Sequence, residues 1–115
     1  LTANIVIREL TDATGDGGFS IHFRLDGTNR VPWAIEFALR PGGELAGVAP
    51  APGVADAFLA GGHAWTYRVG DDQLRVSPGH AEHQWTQLRG ALPKLDAQCV
   101  YLTGYTPLDL KVTIQ

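Results

Sequence analysis

The feature that most constrains the fold is an alternation of apolar and polar residues that recurs in short segments. Phe19, Ile21, Phe23 and Leu25 alternate with polar neighbours, and the same period continues through residues 31–39. A period of two places successive side chains on opposite faces of a strand, so each segment is expected to bury one face and expose the other. Helical periodicity nowhere extends beyond two turns. The pattern therefore predicts strands rather than helices.

Turn-forming residues divide the alternation into about nine short strands. Glycine, proline and aspartate recur at intervals of roughly 8 to 12 residues, a spacing typical of β-sandwiches and barrels. We predict an all-β fold, namely an antiparallel, jelly-roll-like β-sandwich, with an open barrel as the alternative. Asp26-Gly27 is expected to turn an antiparallel hairpin between the segments at 19–25 and 31–39. Pro32 has no backbone N–H, which predicts an edge position, or an entry outside the paired region, for the second strand.

Length and charge favour some classes of protein over others. The 115 residues fit a single domain, 1–115, and because the chain begins at Leu1 and contains no methionine, we expect a domain excised from, or C-terminal in, a larger protein. A net charge of -3 without a basic cluster argues against nucleic-acid binding. No apolar run approaches the roughly 18 residues of a membrane-spanning helix, so no membrane contact is expected.

The single cysteine, Cys99, has strand-like neighbours and is predicted to be a small buried hydrophobe.

The run at residues 78–85, PGHAEHQW, concentrates the polar chemistry of the chain. It holds two of the four histidines, a carboxylate and an indole beside a Pro-Gly turn. A strand over His80–Leu88 would place one set of side chains on one face and the other set, His83 and Trp85, on the opposite face. The first set comprises His80, Glu82 and Gln84. We therefore predict that His80 and Glu82 mark the functional face, and that Trp85 anchors the core.

Metal binding is one hypothesis for this run. His80 and Glu82 could supply two ligands, with His63 or His22 from another strand as the third, which would suffice for a zinc or iron site. A small metal-dependent barrel enzyme similar to the cupins would combine glycine turns with histidine-bearing strands in this way. The His-x-His pair with a following Glu that marks cupins is absent, however. The prediction is therefore no metal and no cofactor, with the metal barrel kept as an alternative.

Carbohydrate binding is a second hypothesis for the same region. A sugar ring stacks its apolar face on an exposed aromatic ring while its hydroxyl groups meet polar side chains. Trp65 and Tyr67 are candidate platforms, as are Trp85, Tyr101 and Tyr105. The candidate polar partners are His80, Glu82, Gln84 and Arg89. Because tryptophans dominate the cores of small sandwiches, Trp33 is predicted to be buried, and for Trp65 and Trp85 a core position is favoured over a role as platform.

Three segments carry a resemblance to a known family. The turn at residues 40–43 (RPGG), the turn at 78–80 (PGH) and the closing segment 101–107 (YLTGYTP) before a last strand resemble the C-terminal β-sandwich of heparinase-type polysaccharide lyases and related carbohydrate-active enzymes. The likeness covers the last two-thirds of the chain, and no catalytic residue is carried over from it. It implies a non-catalytic accessory module, extracellular or periplasmic, that supports a neighbouring domain or contacts polysaccharide. A structural domain that forms a homodimer through an edge strand is a further alternative.

Overall fold

The computed structural model describes residues 1–10, 17–84 and 94–115. These residues form ten strands and no helix, and no helix among them is long and apolar enough to cross a membrane. The strands are β1 (Thr2–Leu10), β2 (Gly18–Asp26), β3 (Pro32–Ala38), β4 (Glu44–Ala46), β5 (Ala49–Pro50), β6 (Ala57–Leu59), β7 (Trp65–Val69), β8 (Asp72–Ser77), β9 (Cys99–Tyr105) and β10 (Leu108–Ile114).

The strands form two sheets that do not close into a barrel. One sheet has six strands in the order β1-β2-β10-β8-β7-β4, and the other has four in the order β3-β9-β6-β5. The predicted all-β sandwich is therefore confirmed. Neighbouring strands are antiparallel except β6 and β9, which run parallel. The sequence had suggested purely antiparallel sheets. The four-stranded sheet is mixed instead, because β6 reaches β9 by a long connection rather than a hairpin.

The core lies between the two sheets. The six-stranded sheet contributes Trp65, Tyr67, Val76, Leu108 and Val112, and the four-stranded sheet contributes Trp33, Val100 and Leu102, all of them buried. A smaller cluster on the other face of β9 contains Cys99 and Tyr101. Strand β9 is therefore buried on both faces. The prediction for Cys99 is confirmed, and burial raises the pKa of its thiol.

The predicted hairpin between β2 and β3 is wrong, because the two strands belong to different sheets. β2 pairs with β1 and β10, whereas β3 pairs with β9. The connection crosses from one sheet to the other, and Thr106 holds it: the Arg30 N–H donates to the Thr106 carbonyl (2.8 Å) and the Val31 N–H donates to the Thr106 hydroxyl (3.0 Å). The edge position predicted from Pro32 is confirmed, since within the described residues β3 pairs with β9 alone.

Candidate functional site

His80 and Glu82 lie together beyond the turn at Pro78-Gly79. The Gly79 N–H donates to the His63 carbonyl at 3.0 Å. A Cβ at Gly79 would overlap the Gly61 carbonyl oxygen and approach that of His63 to 2.8 Å, so only glycine fits this packing. After the turn, His80 Nε2 lies 3.4 Å from Glu82 Oε1, and both side chains are partly exposed.

Strand β9 holds this segment through backbone hydrogen bonds. The Thr103 N–H donates to the His80 carbonyl (2.9 Å), and the Glu82 N–H donates to the Thr103 carbonyl (3.1 Å). Ala81 forms only an isolated bridge to Thr103. The strand predicted over His80–Leu88 is therefore wrong for residues 80–84, where the chain bends instead. The rest of that segment lies outside the described residues, and so do Trp85 and Arg89.

His83 points into the protein and has a structural role. Its Nε2 lies 2.9 Å from the Trp33 carbonyl oxygen and 3.1 Å from that of Gly104. Both oxygens are acceptors, so Nε2 must carry the hydrogen. The Thr103 hydroxyl donates to the His83 carbonyl at 2.7 Å. His83 therefore fastens the bend to β3 and β9, and only His80 of the two histidines faces outward.

A small cleft opens beside His80, which we call the His80 cleft. It has a volume of about 170 Å³, and Trp33, His80, Glu82, Tyr105 and Asp109 contribute to its lining. The His80 ring stacks on Trp33 with 5.7 Å between ring centroids and 14° between planes. The Tyr105 N–H donates to Glu82 Oε2 at 3.1 Å, which fixes the carboxylate. The predicted outward pair, His80 and Glu82, is thus found in a defined cleft.

Three residues near the His80 cleft were not predicted from the sequence to belong to a site. Asp109 hydrogen-bonds His22 on the neighbouring strand, and this bond holds the pKa of the Asp109 carboxyl below its ordinary value. The Arg30 guanidinium lies over the Tyr105 ring, 4.4 Å from its centroid. Gly104 leaves the space that the Trp33 indole occupies, since a Cβ there would lie 2.5 Å from Trp33 Cζ2. No local motif marks these residues, because strand pairing alone brings them together.

Two of the aromatic platforms named from the sequence are buried. Trp65 and Tyr67 are 1% and 5% exposed, and both belong to the core between the sheets. The Tyr67 hydroxyl donates to the Arg40 carbonyl, which satisfies its polar end inside the protein. As glycan platforms, these two predictions are wrong. Gln84 is exposed but does not line the His80 cleft.

The metal hypothesis lacks a third ligand in the described ranges. No group of three or more His, Cys, Asp or Glu side chains there is placed to hold a metal ion. His63 lies against Gly61, with its Cε1 atom 3.6 Å from the position of a Gly61 Cβ, and does not complete a set with His80 and Glu82. In this part of the chain, His80 and Glu82 offer polar contacts to the cleft.

A second candidate surface is the inner face of β1 and β2. The register pairs Ile5 with Phe23 and Ile7 with Ile21, so these side chains share one face. Phe23 packs against the core, which identifies the face as the inner one. Ile5, Ile7 and Phe19 are nevertheless 62%, 65% and 51% exposed. We call Ile5, Ile7 and Phe19 the open face, because no strand of the four-stranded sheet lies beyond β3 in the described ranges.

A groove separates the open face from β3. It has a volume of about 290 Å³ and a mostly apolar lining, formed by residues 3–5, 23–25 and 33–35 together with Leu108. Three consecutive residues of β3 line it, and among the described residues this side of β3 has no paired strand. The open face, β1 and β3 therefore lie on one side of the sandwich.

Comparison with known proteins adds no relative: no family model, no curated protein and no solved structure matches this chain.

Proposed function

We propose that this chain is a non-catalytic β-sandwich module that takes part in a protein assembly through its open face. The observation that carries the proposal is the exposure of Ile5, Ile7 and Phe19 on an inner sheet face that elsewhere forms the core. Monomeric soluble proteins seldom expose contiguous apolar patches beyond a few hundred Å², and larger ones mark interaction sites. The proposal retains the accessory role expected from the sequence. It places the contact with the partner on β1 and β2 rather than at His80 and Glu82.

The ends of the six-stranded sheet support this choice of surface. β4, at one end, has three residues, whereas β1, at the other, has nine, and residues 2–9 are all exposed. Proteins protect their sheet edges with short strands, prolines or charges, because a long apolar edge pairs with other chains. β1 carries such protection only at its end, in Arg8 and Glu9. A nine-residue edge with an apolar face is therefore suited to binding.

The first test measures whether the open face is accessible in the folded chain. The doubly substituted Ile5→Gln/Ile7→Gln protein is compared with Leu95→Gln, which alters an exposed leucine outside this surface. At low protein concentration, wild type and Leu95→Gln are expected to enhance the fluorescence of an apolar dye such as anilinonaphthalene sulfonate, and the double variant to reduce this enhancement at least about threefold. Its free energy of unfolding should stay within about 1 kcal/mol of wild type, because exposed side chains contribute little to stability.

Two outcomes would contradict the proposal. Equal dye enhancement in the double variant and wild type would show that the open face is not the apolar surface of the folded chain. A loss of several kcal/mol in the double variant would show that Ile5 and Ile7 belong to the core and are not free to bind.

A second candidate function is contact with a glycan at the His80 cleft. The partly exposed His80–Glu82 pair favours it, since an imidazole beside a fixed carboxylate offers both a donor and acceptors to sugar hydroxyl groups. The cleft is smaller than the roughly 300 Å³ at which small-molecule pockets begin. It therefore suits one unit of an extended polysaccharide rather than an enclosed ligand.

Affinity electrophoresis through gels containing heparin, alginate, pectin or xylan tests this candidate. Glu82→Gln keeps the shape of the side chain and removes its charge, and Glu44→Gln does the same at an exposed carboxylate on β4. We expect at least one polysaccharide to retard wild type and Glu44→Gln equally, with the affinity of Glu82→Gln lowered about fivefold or more, the effect of losing one charged hydrogen bond. No retardation by any polysaccharide, or equal retardation of all three proteins, would rule glycan contact at this cleft out.

A further inference from the structure

An apolar groove beside the open face lies between β1 and β3, which are the terminal strands of the two sheets in the described part of the chain. Within the described residues, β1 pairs only with β2, and β3 pairs only with β9. The groove is lined by residues 3–5 of β1 and residues 33–35 of β3. The molecule thus presents an uncovered apolar face and two free backbone edges on the same side.

We propose that the partner in the assembly is a second copy of this chain, an inference that rests on the function proposed above. In each copy, β1 and β2 extend beyond the end of the four-stranded sheet. In this dimer, they occupy the space beside β3 of the other copy. Each open face is then covered by the open face opposite, and each β1 edge lies along a β3 edge. The dimer completes both sandwiches with elements that the chain already carries.

Self-complementarity favours a second copy over a different protein. A two-fold dimer uses the same patch on both subunits, so that patch must contain the counterpart of each of its own elements. The apolar face of one copy must therefore meet the apolar face of the other copy. The edge of β1 must likewise meet the edge of a strand that lies in the same layer of the dimer. The open face supplies the first, and β1 and β3 supply the second. Pro32 removes only the first N–H of β3 and leaves Trp33–Ala38 to pair.

The area of this surface is of the order that a stable dimer needs. A nine-residue strand such as β1 is about 30 Å long, neighbouring strands lie about 4.8 Å apart, and packed sheets lie about 10 Å from each other. The open face and the two edges together therefore offer several hundred Å² per copy, comparable with the roughly 800 Å² per partner of a standard interface. Glu9 is the one charged residue on the inner face of β1, so like-charge repulsion across the contact is small.

Sedimentation velocity over about 1 to 200 µM tests the dimer. Wild type is expected to shift with concentration from the 12.3 kDa monomer to a species of twice that mass. Ile7→Lys should raise the dimer dissociation constant at least about tenfold, because it places a charge in the apolar contact and at the β1 edge. The matched control Leu95→Lys introduces the same charge at another exposed apolar position and should dimerise like wild type.

Hydrogen–deuterium exchange on the same samples locates the contact. Amides of β1 and of Trp33–Ala38 should exchange more slowly as the dimer forms, while amides of β4 should not change. Wild type that stays monomeric at the highest concentration would overturn the dimer, and so would equal weakening by the two lysine variants or protection confined to other strands. A monomer whose dye binding still depends on Ile5 and Ile7 would overturn only the dimer, whereas dye binding independent of them would overturn the proposed function as well.

Discussion

Replacing Trp65 by alanine is expected to lower the free energy of unfolding by about 3 to 5 kcal/mol, the cost of removing a large buried aromatic side chain. Trp65 is almost wholly buried between the sheets and contacts Phe37 edge to face, with 5.6 Å between the ring centroids. Because small domains are stable by only about 5 to 15 kcal/mol, the variant should lose a large fraction of the stability of the domain. Urea unfolding followed by circular dichroism measures the change.

Arg68→Ala on the same strand is the control for this prediction. Arg68 is exposed, so its loss should change stability by no more than about 0.5 kcal/mol. If Trp65→Ala were as stable as Arg68→Ala, the indole would not belong to the core. The ring would then return as a surface platform, and the account of the two sheets would be wrong at β7.

Replacing Gly79 by alanine is expected to cost at least about 2 kcal/mol of stability, because the added methyl group has no space. It would overlap the Gly61 carbonyl oxygen and lie 3.0 Å from the Ala60 Cβ. Backbone atoms cannot move aside as a flexible side chain can, so the turn must shift and carry His80 and Glu82 with it. The free energy of unfolding and the exchange rate of the Gly79 amide report the two effects.

Gly62→Ala is a matched control in the adjacent loop. A Cβ at Gly62 meets no atom within 4 Å, so this variant should be as stable as wild type, or slightly more stable, because alanine restricts the unfolded chain. Equal stability of Gly79→Ala and Gly62→Ala would contradict the close approach of the two loops. The geometry that we describe for the His80 cleft would then lose its support.

The strands were predictable because their pattern is local, but their partners were not. The alternation at 19–25 and 31–39 correctly indicates β2 and β3. The inner faces of two facing sheets have the same pattern, however, so alternation does not show to which sheet a strand belongs. Asp26-Gly27 can turn a hairpin or start a crossing between sheets, and hydrogen bonds to the distant Thr106 determine the crossing. Those contacts have no local signature.

The candidate site was predictable in part, for the same reason. The pairing of His80 with Glu82 was expected from their two-residue spacing, although a bend rather than a strand brings them together. The inward position of His83 depends on carbonyl groups of Trp33 and Gly104, which are distant in sequence. Trp65 was open to two interpretations, because an indole in an alternating strand has the same sequence pattern in a core as on a surface.

The alternation of apolar and polar residues also does not show whether the opposite sheet covers the inner face of a strand. Ile5 and Ile7 alternate like Leu108 and Val112, yet the first two are exposed and Leu108 and Val112 are buried. The difference arises because the six-stranded sheet is wider than the four-stranded one, and nothing beneath β1 replaces the missing strands in the described residues. The open face therefore emerges only from the three-dimensional arrangement.

The solvent accessibility of methyl groups in solution shows whether the open face is uncovered in the folded chain. A soluble paramagnetic agent broadens the NMR signals of methyl groups that it can approach, and the spectrum is recorded at a concentration where the chain is monomeric. We expect strong broadening of the Ile5 and Ile7 methyl signals, with the Val100 and Val112 signals protected because both valines are fully buried. If the Ile5 and Ile7 signals were as protected as those of Val112, the inner face of β1 would be covered, and β1 and β2 would offer no apolar surface for binding.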